Sequence, residues 1–347
     1  MKLNFAEVTD IGLVRKANED NVGHLSSQQT NGYGEVFIVC DGMGGHVGGA
    51  RASQKAVESI KEYFSTEPNA NPQIALREAV EFANMQIFAE AQSNPEFTGM
   101  GTTVTILVES NSMINIAHVG DSRIYINTDG VLHRITKDHS FVQGLVDAGQ
   151  ITDDQMESHP RKNELTRALG IADTVKVEVN DTPILAKKGD KFMLCSDGLC
   201  GLVNDTTMMN TLNDKKDIKA AAKELITLAK NAGGHDNISV TIIDVLDSAH
   251  TKSQFTGKSH VNKRFAKDIM GTREVNLGEL EGGVSEKIPV MMKKMMLPAV
   301  IGLFVLVGGY FAWNMFDNDK GNGDGDGDGG NGGNNGTTNI TVNNDIL

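Results

Sequence analysis

Thr102-Thr103-Val104-Thr105-Ile106-Leu107-Val108, Met113-Ile114-Asn115-Ile116-Ala117-His118 and Arg123-Ile124-Tyr125-Ile126-Asn127 are three strand-like runs separated by only a few residues. Alternation and β-branched content make each a strand. Turns this short join antiparallel neighbours, because a parallel crossover needs a dozen or more residues. Working outward, further strand-like segments fall at 36–40, 191–195 and 238–245, and Ala, Ile and Phe recur at helical spacing over 49–64 and 72–93. A third helix over 217–232 stops at Gly233-Gly234. The expected fold class is α+β, an antiparallel β-sandwich flanked by helices, as a single domain over residues 1–247.

The remaining chain differs in kind. Residues 248–296 lose periodicity and read as a flexible linker, whereas residues 297–316 carry no charge. Twenty residues of helix span about 30 Å, the thickness of a bilayer core, so the expectation is one transmembrane helix. Lys287, Lys293 and Lys294 precede it and Asp317 and Asp319 come after it, which predicts a single pass through the cytoplasmic membrane with the first domain in the cytosol. The N-terminus has no uninterrupted apolar stretch of the signal-peptide kind, which agrees with that orientation. Residues 317–347 are mostly Gly, Asn and Asp, a composition that buries no core. The net charge of −13 argues against nucleic acid as a partner, since displacing counterions from phosphates needs a basic surface. Cys40, Cys195 and Cys200 lie in or beside apolar strands without CxxC spacing, and read as buried free thiols.

Chemistry enters at the strand ends. Phe37-Ile38-Val39-Cys40 runs into Asp41-Gly42, and Phe192-Met193-Leu194-Cys195 runs through Ser196 into Asp197-Gly198. Asp121 comes after the strand at 113–118, and Asp236 precedes that at 238–245. No Lys or Arg stands out as a partner for these carboxylates, so gathering them without cations would be costly. Oxygen-only ligands favour Mn²⁺ or Mg²⁺ over zinc. Two such ions sharing a carboxylate activate a water and neutralise charge on a phosphoryl group. Asp41, with the carbonyl of Gly42, is the choice for the shared ligand. Asp-Gly is also a turn dipeptide, as expected for Asp129-Gly130. The loop from Gly42 to Gly48 has the look of a dinucleotide-binding turn for an oxidoreductase. An Asp just before it would repel a pyrophosphate, however, and the next elements, two helices and antiparallel strands, do not make a βαβ unit.

Six segments occur in a telling order: Val14-Arg15-Lys16-Ala17-Asn18-Glu19-Asp20, Cys40-Asp41-Gly42-Met43-Gly44-Gly45-His46, Gly99-Met100-Gly101-Thr102-Thr103, Val119-Gly120-Asp121-Ser122-Arg123, Cys195-Ser196-Asp197-Gly198-Leu199 and His235-Asp236-Asn237-Ile238-Ser239. In these the chain resembles the metal-dependent type 2C protein Ser/Thr phosphatases. Lys137-Asp138-His139-Ser140, Arg161 and Leu165-Thr166-Arg167-Ala168-Leu169-Gly170 resemble the bacterial branch. The resemblance covers about residues 1–245.

It implies hydrolysis of phosphoserine and phosphothreonine in proteins with two Mn²⁺ or Mg²⁺ ions, opposing a Ser/Thr kinase. Phosphorylated proteins, a kinase among them, are the implied partners. Asp41 bridges the ions, the Gly42 carbonyl binds one, Asp197 and Asp236 complete the set, and Asp121 holds a third, weaker ion. Arg15 holds the substrate phosphate, Glu19 and Asp20 support the ions through water or neighbouring ligands, and residues 139–170 form a flap that influences substrate choice. Animal members carry a His where this chain has Met43, so the general acid stays unassigned between His46 and a metal-bound water. An inert, membrane-anchored phosphoprotein-binding module is the alternative. Retention of Asp41, Asp197 and Asp236 counts against it.

Overall fold

The computed structural model describes residues 1–44, 47–67 and 71–255. The expected transmembrane helix and tail, most of the linker, and His46 lie outside them. Among the described residues no helix is long and apolar enough to cross a membrane.

One sheet takes the order β1 (Lys2–Asp10), β11 (Ile238–Asp247), β10 (Lys191–Cys195), β7 (Arg123–Thr128), β8 (Val131–Arg134). The other runs β2 (Asp20–Leu25), β3 (Val36–Met43), β5 (Val104–Ser110), β6 (Met113–Val119), β9 (Glu178–Val179), with β4 (Gly101–Thr102) paired to the end of β3. Every pairing between these strands is antiparallel, as the short turns between residues 102 and 127 predict. Asp129 and Gly130 both have positive φ, at 52° and 80°, and close the β7–β8 hairpin as the turn reading expects.

Side-chain parity sorts each strand into two cores. Phe37 and Val39 meet Leu107, Ile124, Ile126, Phe192, Leu194 and Ile243 between the sheets, whereas Val36, Ile38 and Cys40 face outward. Against that outer face pack α1 (Gly48–Thr66) and α2 (Pro72–Ser93), through Ala52, Ala56, Ile60 and Phe64 of the first and Leu76, Val80 and Ile87 of the second. Asn71 caps α2, its side chain accepting the Gln73 N–H at 2.8 Å, with Pro72 opening the helix. The outer face of the first sheet carries α5 (Asp197–Cys200), α6 (Asp205–Asp214) and α7 (Ile218–Asn231), whose Leu225 and Ile226 join Met193, Val240 and Ile242. Helices thus flank a β-sandwich on both sides. Cys40, Cys195 and Cys200 are buried and free.

β1 and β2 are missing from the sequence reading. Polar residues interrupt β1 at Asn4, Glu7 and Thr9, and β2 contains Gly23, yet both complete sheet edges through tertiary pairing with β11 and β3. Residues 248–255 differ from the linker expectation. Ser253 Oγ takes part in hydrogen bonds with Thr128, Lys187 and Asp190, Gln254 pairs with Leu185, and Phe255 packs on the inter-sheet core. A fragment ending at residue 255 should therefore be more stable than one ending at 247, by about 2 kcal/mol from lost apolar burial and hydrogen bonds. Equal urea midpoints for the two fragments would contradict this packing.

Candidate active site

Strand parity also builds the site. Asp41 continues the inward face of Phe37 and Val39, and the register sets Asp20 opposite it. On β10, Phe192 and Leu194 give way to Ser196 on the same face. On β11, Ile243 gives way to Thr241 and Ser239. The apolar layer between the sheets therefore ends in polar side chains at one end. There Asp121 leaves β6, Asp197 opens α5, and Asp236 precedes β11.

These groups sit on a buried network. Asp20 is only 5% exposed, and its Oδ2 accepts from Ser196 Oγ at 2.8 Å. That hydroxyl oxygen in turn accepts the Ser239 N–H at 3.0 Å. Asn237 Oδ1 accepts the Glu19 N–H at 2.8 Å, and its amide donates to Ile11 O at 2.9 Å and Ala17 O at 3.0 Å, which fixes the loop carrying Arg15. The Asp41 N–H donates to Thr103 Oγ1 at 3.0 Å, and its carbonyl accepts from the Thr103 N–H at 2.8 Å. At Gly42 a Cβ would lie 2.1 Å from Gly49 O and 2.6 Å from Glu19 O, so only glycine lets three backbones converge behind Asp41.

The electrostatic consequence is severe. Burial, then the charges of Asp20, Asp197, Asp121 and Asp236, push the Asp41 carboxyl well above the usual range. Burial with Asp197 and Asp138 does the same to Asp121, against the pull of Arg123, and burial with Asp236 raises Asp197. Asp20 is pushed up to about 7 by burial, with Asp197 and Asp236 adding to it and hydrogen bonds from Ser239 and Ser196 opposing it. Asp20 Oδ1 and Asp197 Oδ1 are buried without a hydrogen-bond partner among the described residues. Orphaned acceptor oxygens in a crowd of carboxylates fit divalent cations, and the all-oxygen donor set fits Mn²⁺ or Mg²⁺.

One expectation needs correction. Asp236 does have a basic partner, because the fold brings Arg15 Nη2 to its Oδ2 at 2.7 Å. Arg15 lies at the mouth with 45% of its side chain exposed. The sequence separation of 221 residues hides this pair. A cleft of about 290 Å³ opens beside it, lined by Asp121, Asp197 and Asp236 and by Val142, Met156 and Lys162.

Sequence reasoning brings Asp41, Asp121, Asp197, Asp236 and Arg15 to one place, and the structure gathers all five. It misses the supports Ser196, Ser239 and Asn237, for which only their positions beside Asp197 and Asp236 give a signal. It also misses Arg123, which meets Asp138 bidentately at 3.0 and 2.7 Å behind Asp121. His118 is buried, donates to Lys137 O at 2.8 Å and stacks on His139.

Burial, then the nearby His139, push His118 down to about 4. The unfolded chain protonates this group near its ordinary 6.5 and the folded one only near 4, so its contribution is intact above pH 6.5 and is lost as pH falls to about 4. Wild type should lose about 1.4 kcal/mol per pH unit in that window relative to His118→Phe, which does not titrate. Parallel stability–pH curves for the two would contradict this assignment.

The comparisons agree with the site. The profile of the Protein phosphatase 2C family matches residues 15–239. The serine/threonine protein phosphatase PstP of Mycobacterium tuberculosis is 37% identical over 252 residues, covering 73% of this chain but 47% of that protein, so the match spans about half of that relative's length. The serine/threonine phosphatase stp of Listeria monocytogenes is 38% identical over 240 residues, covering 68% of this chain and 93% of that protein. The solved catalytic domain of PstP in complex with two manganese ions superposes with a TM-score of 0.61 at 36% identity, covering 71% of this chain and 99% of that one. On the family profile, on identity and on fold, this chain belongs to the protein phosphatase 2C family.

Proposed function

We propose that the protein is a Mn²⁺- or Mg²⁺-dependent phosphatase acting on phosphoserine and phosphothreonine in proteins. The observation that carries this is the convergence of Asp20, Asp41, Asp121, Asp197 and Asp236 at one sheet end, with the Arg15 guanidinium at its mouth. Asp41, Asp197, Asp236 and the Gly42 carbonyl would hold two ions, and Asp121 a third, weaker one. Bound there, the ions would supply charge neutralisation and an activated water. Arg15 has five N–H donors. Asp236 takes one, and the half-exposed guanidinium would offer others to a tetrahedral oxyanion as a planar fork. Asp20 and the Ser196 hydroxyl keep the ligand strands in register from beneath. The proton donor for the leaving serine or threonine oxygen is unassigned, since Met43 cannot donate one.

The full chain should hydrolyse a phosphothreonine peptide only with added Mn²⁺ or Mg²⁺, and Asp41→Asn should abolish turnover while the fold survives. Arg15→Ala should weaken substrate binding by about 1.5–3 kcal/mol, chiefly in KM. Undiminished turnover in excess chelator would overturn the proposal. An unchanged kcat/KM for Arg15→Ala would remove that residue from phosphate binding.

The substrates include, on this reading, a Ser/Thr kinase and its targets at the membrane. The uncharged run at 297–316 supports a single-pass anchor, and Lys287, Lys293 and Lys294 before it support a cytosolic catalytic domain. A linker of some 50 residues would let that domain search the membrane surface. Protease added outside the cytoplasmic membrane should trim the Gly/Asn/Asp tail and leave the catalytic domain intact. A digested catalytic domain, or a wholly soluble protein, would overturn this topology.

A further inference from the structure

His139 is a buried side chain with both ring nitrogens engaged that the proposed chemistry does not use. It grips Gly120, the residue before Asp121, at both polar groups of that residue. The Gly120 N–H donates to its Nδ1 at 3.1 Å, and its own N–H donates to Gly120 O at 2.8 Å. Gly120 itself has φ +105°, and a Cβ there would stand 2.6 Å from Thr103 Cγ2, so the turn that aims Asp121 has little room to adjust alone.

On its other side the same residue holds the flap. The Thr166 N–H donates to His139 O at 2.8 Å, Ser140 bridges to Leu165, and Nε2 lies 2.9 Å from Glu178 Oε2. Because Nδ1 accepts, the ring proton falls on Nε2, the nitrogen that both Glu178 Oε2 and, at 3.0 Å, Arg167 Nη1 approach. Arg167 Nη1 sits 3.7 Å from the same carboxylate and closes the group. His118, His139 and Glu178 bring three potential ligand atoms within 4.8 Å of one another. An ion there would have to displace these bonds, since both ring nitrogens of His139 are engaged and His118 Nε2 faces Lys137 O at 2.8 Å. The trio is a joint between segments. The segment it anchors lines the cleft through Val142, Met156 and Lys162, together with Asp121, Asp197 and Asp236.

We propose that His139 is a positioning residue that ties the flap to the Gly120–Asp121 turn, so that flap placement sets how tightly Asp121 holds its cation. The inference rests on the reading of Asp121 as a metal ligand. It predicts that metal occupancy at Asp121 responds to changes at this joint, remote from any ligand.

The test is calorimetric Mn²⁺ binding to the full chain without substrate, alongside kcat and KM for a phosphothreonine peptide at saturating Mn²⁺. His139→Ala should weaken the weakest Mn²⁺ site at least about tenfold, the range for residues that orient metal ligands through hydrogen bonds. The tighter sites should keep their affinity. His139→Asn keeps an acceptor for the Gly120 N–H and should recover most of the loss. Glu178→Ala removes the half-exposed β9 carboxylate that holds His139 Nε2 and Arg167, and should weaken the same site by a smaller factor. Unchanged weak-site affinity in His139→Ala, or equal losses in His139→Ala and His139→Asn, would overturn the inference. If His139→Ala does not fold, Glu178→Ala decides it, and unchanged affinity there overturns it. Asp121→Asn separates the two claims: should it leave Mn²⁺ binding intact, the reading of Asp121 fails, whereas loss of a site there with none of the His139 or Glu178 effects defeats the joint alone.

Discussion

Mutual repulsion among half-buried carboxylates is the constraint on which the rest of this structure depends. Asp41, Asp121 and Asp197 each carry a raised pKa because burial removes water and neighbours of the same sign replace it. Arg15 offsets one of these charges at the mouth, and Arg123 is committed to Asp138. Bringing such groups together opposes folding, so the apolar layers must supply the stability that holds them in place. The two outer cores and the layer between the sheets do this through long runs of fully buried Val, Ile, Leu and Phe. Divalent cations would relieve the strain, because each added positive charge favours the ionised form of every ligand around it.

Geometry obeys the same demand. Carboxylates from separate strands can converge only where backbones approach more closely than side chains allow, and glycines stand at those points. A Cβ at Gly12 would lie 2.2 Å from Asp236 O, and one at Gly198 would lie 2.0 Å from Asn237 O. With Gly42, these positions surround Asp41 and Asp236. The glycines of the motifs thus belong to the packing of the site as much as to its chemistry. Convergence also explains the polar core beneath, where the Ser196 and Asn237 side chains satisfy main-chain groups that closely packed strand ends would otherwise leave unpaired.

Much of this is legible in the sequence because strands announce themselves by alternation and carboxylates by their place at strand ends. The strand at Lys191–Cys195 and the helix at Pro72–Ser93 coincide with the expected bounds. Asp41 and Asp197 stand out because each terminates an apolar run. What stays hidden depends on long-range pairing. β2 has too few apolar residues to declare itself, and its partner β3 is what makes it a strand. The pairing of Arg15 with Asp236, and the double grip of His139 on Gly120, join residues whose sequence context gives no hint of contact. Residues 248–255 read as linker because their contribution is a few hydrogen bonds and one aromatic side chain, with no periodicity to mark it.

These carboxylates are held together in a form that divalent cations complete. Proton release on Mn²⁺ binding tests this most directly, measured at pH 7 by calorimetry in buffers of different ionisation enthalpy. The raised pKa values predict that each chain releases protons as Mn²⁺ binds at pH 7, and fewer as the pH is raised towards 9. Mn²⁺ binding with no proton release at pH 7, or no Mn²⁺ binding at all, would contradict the account.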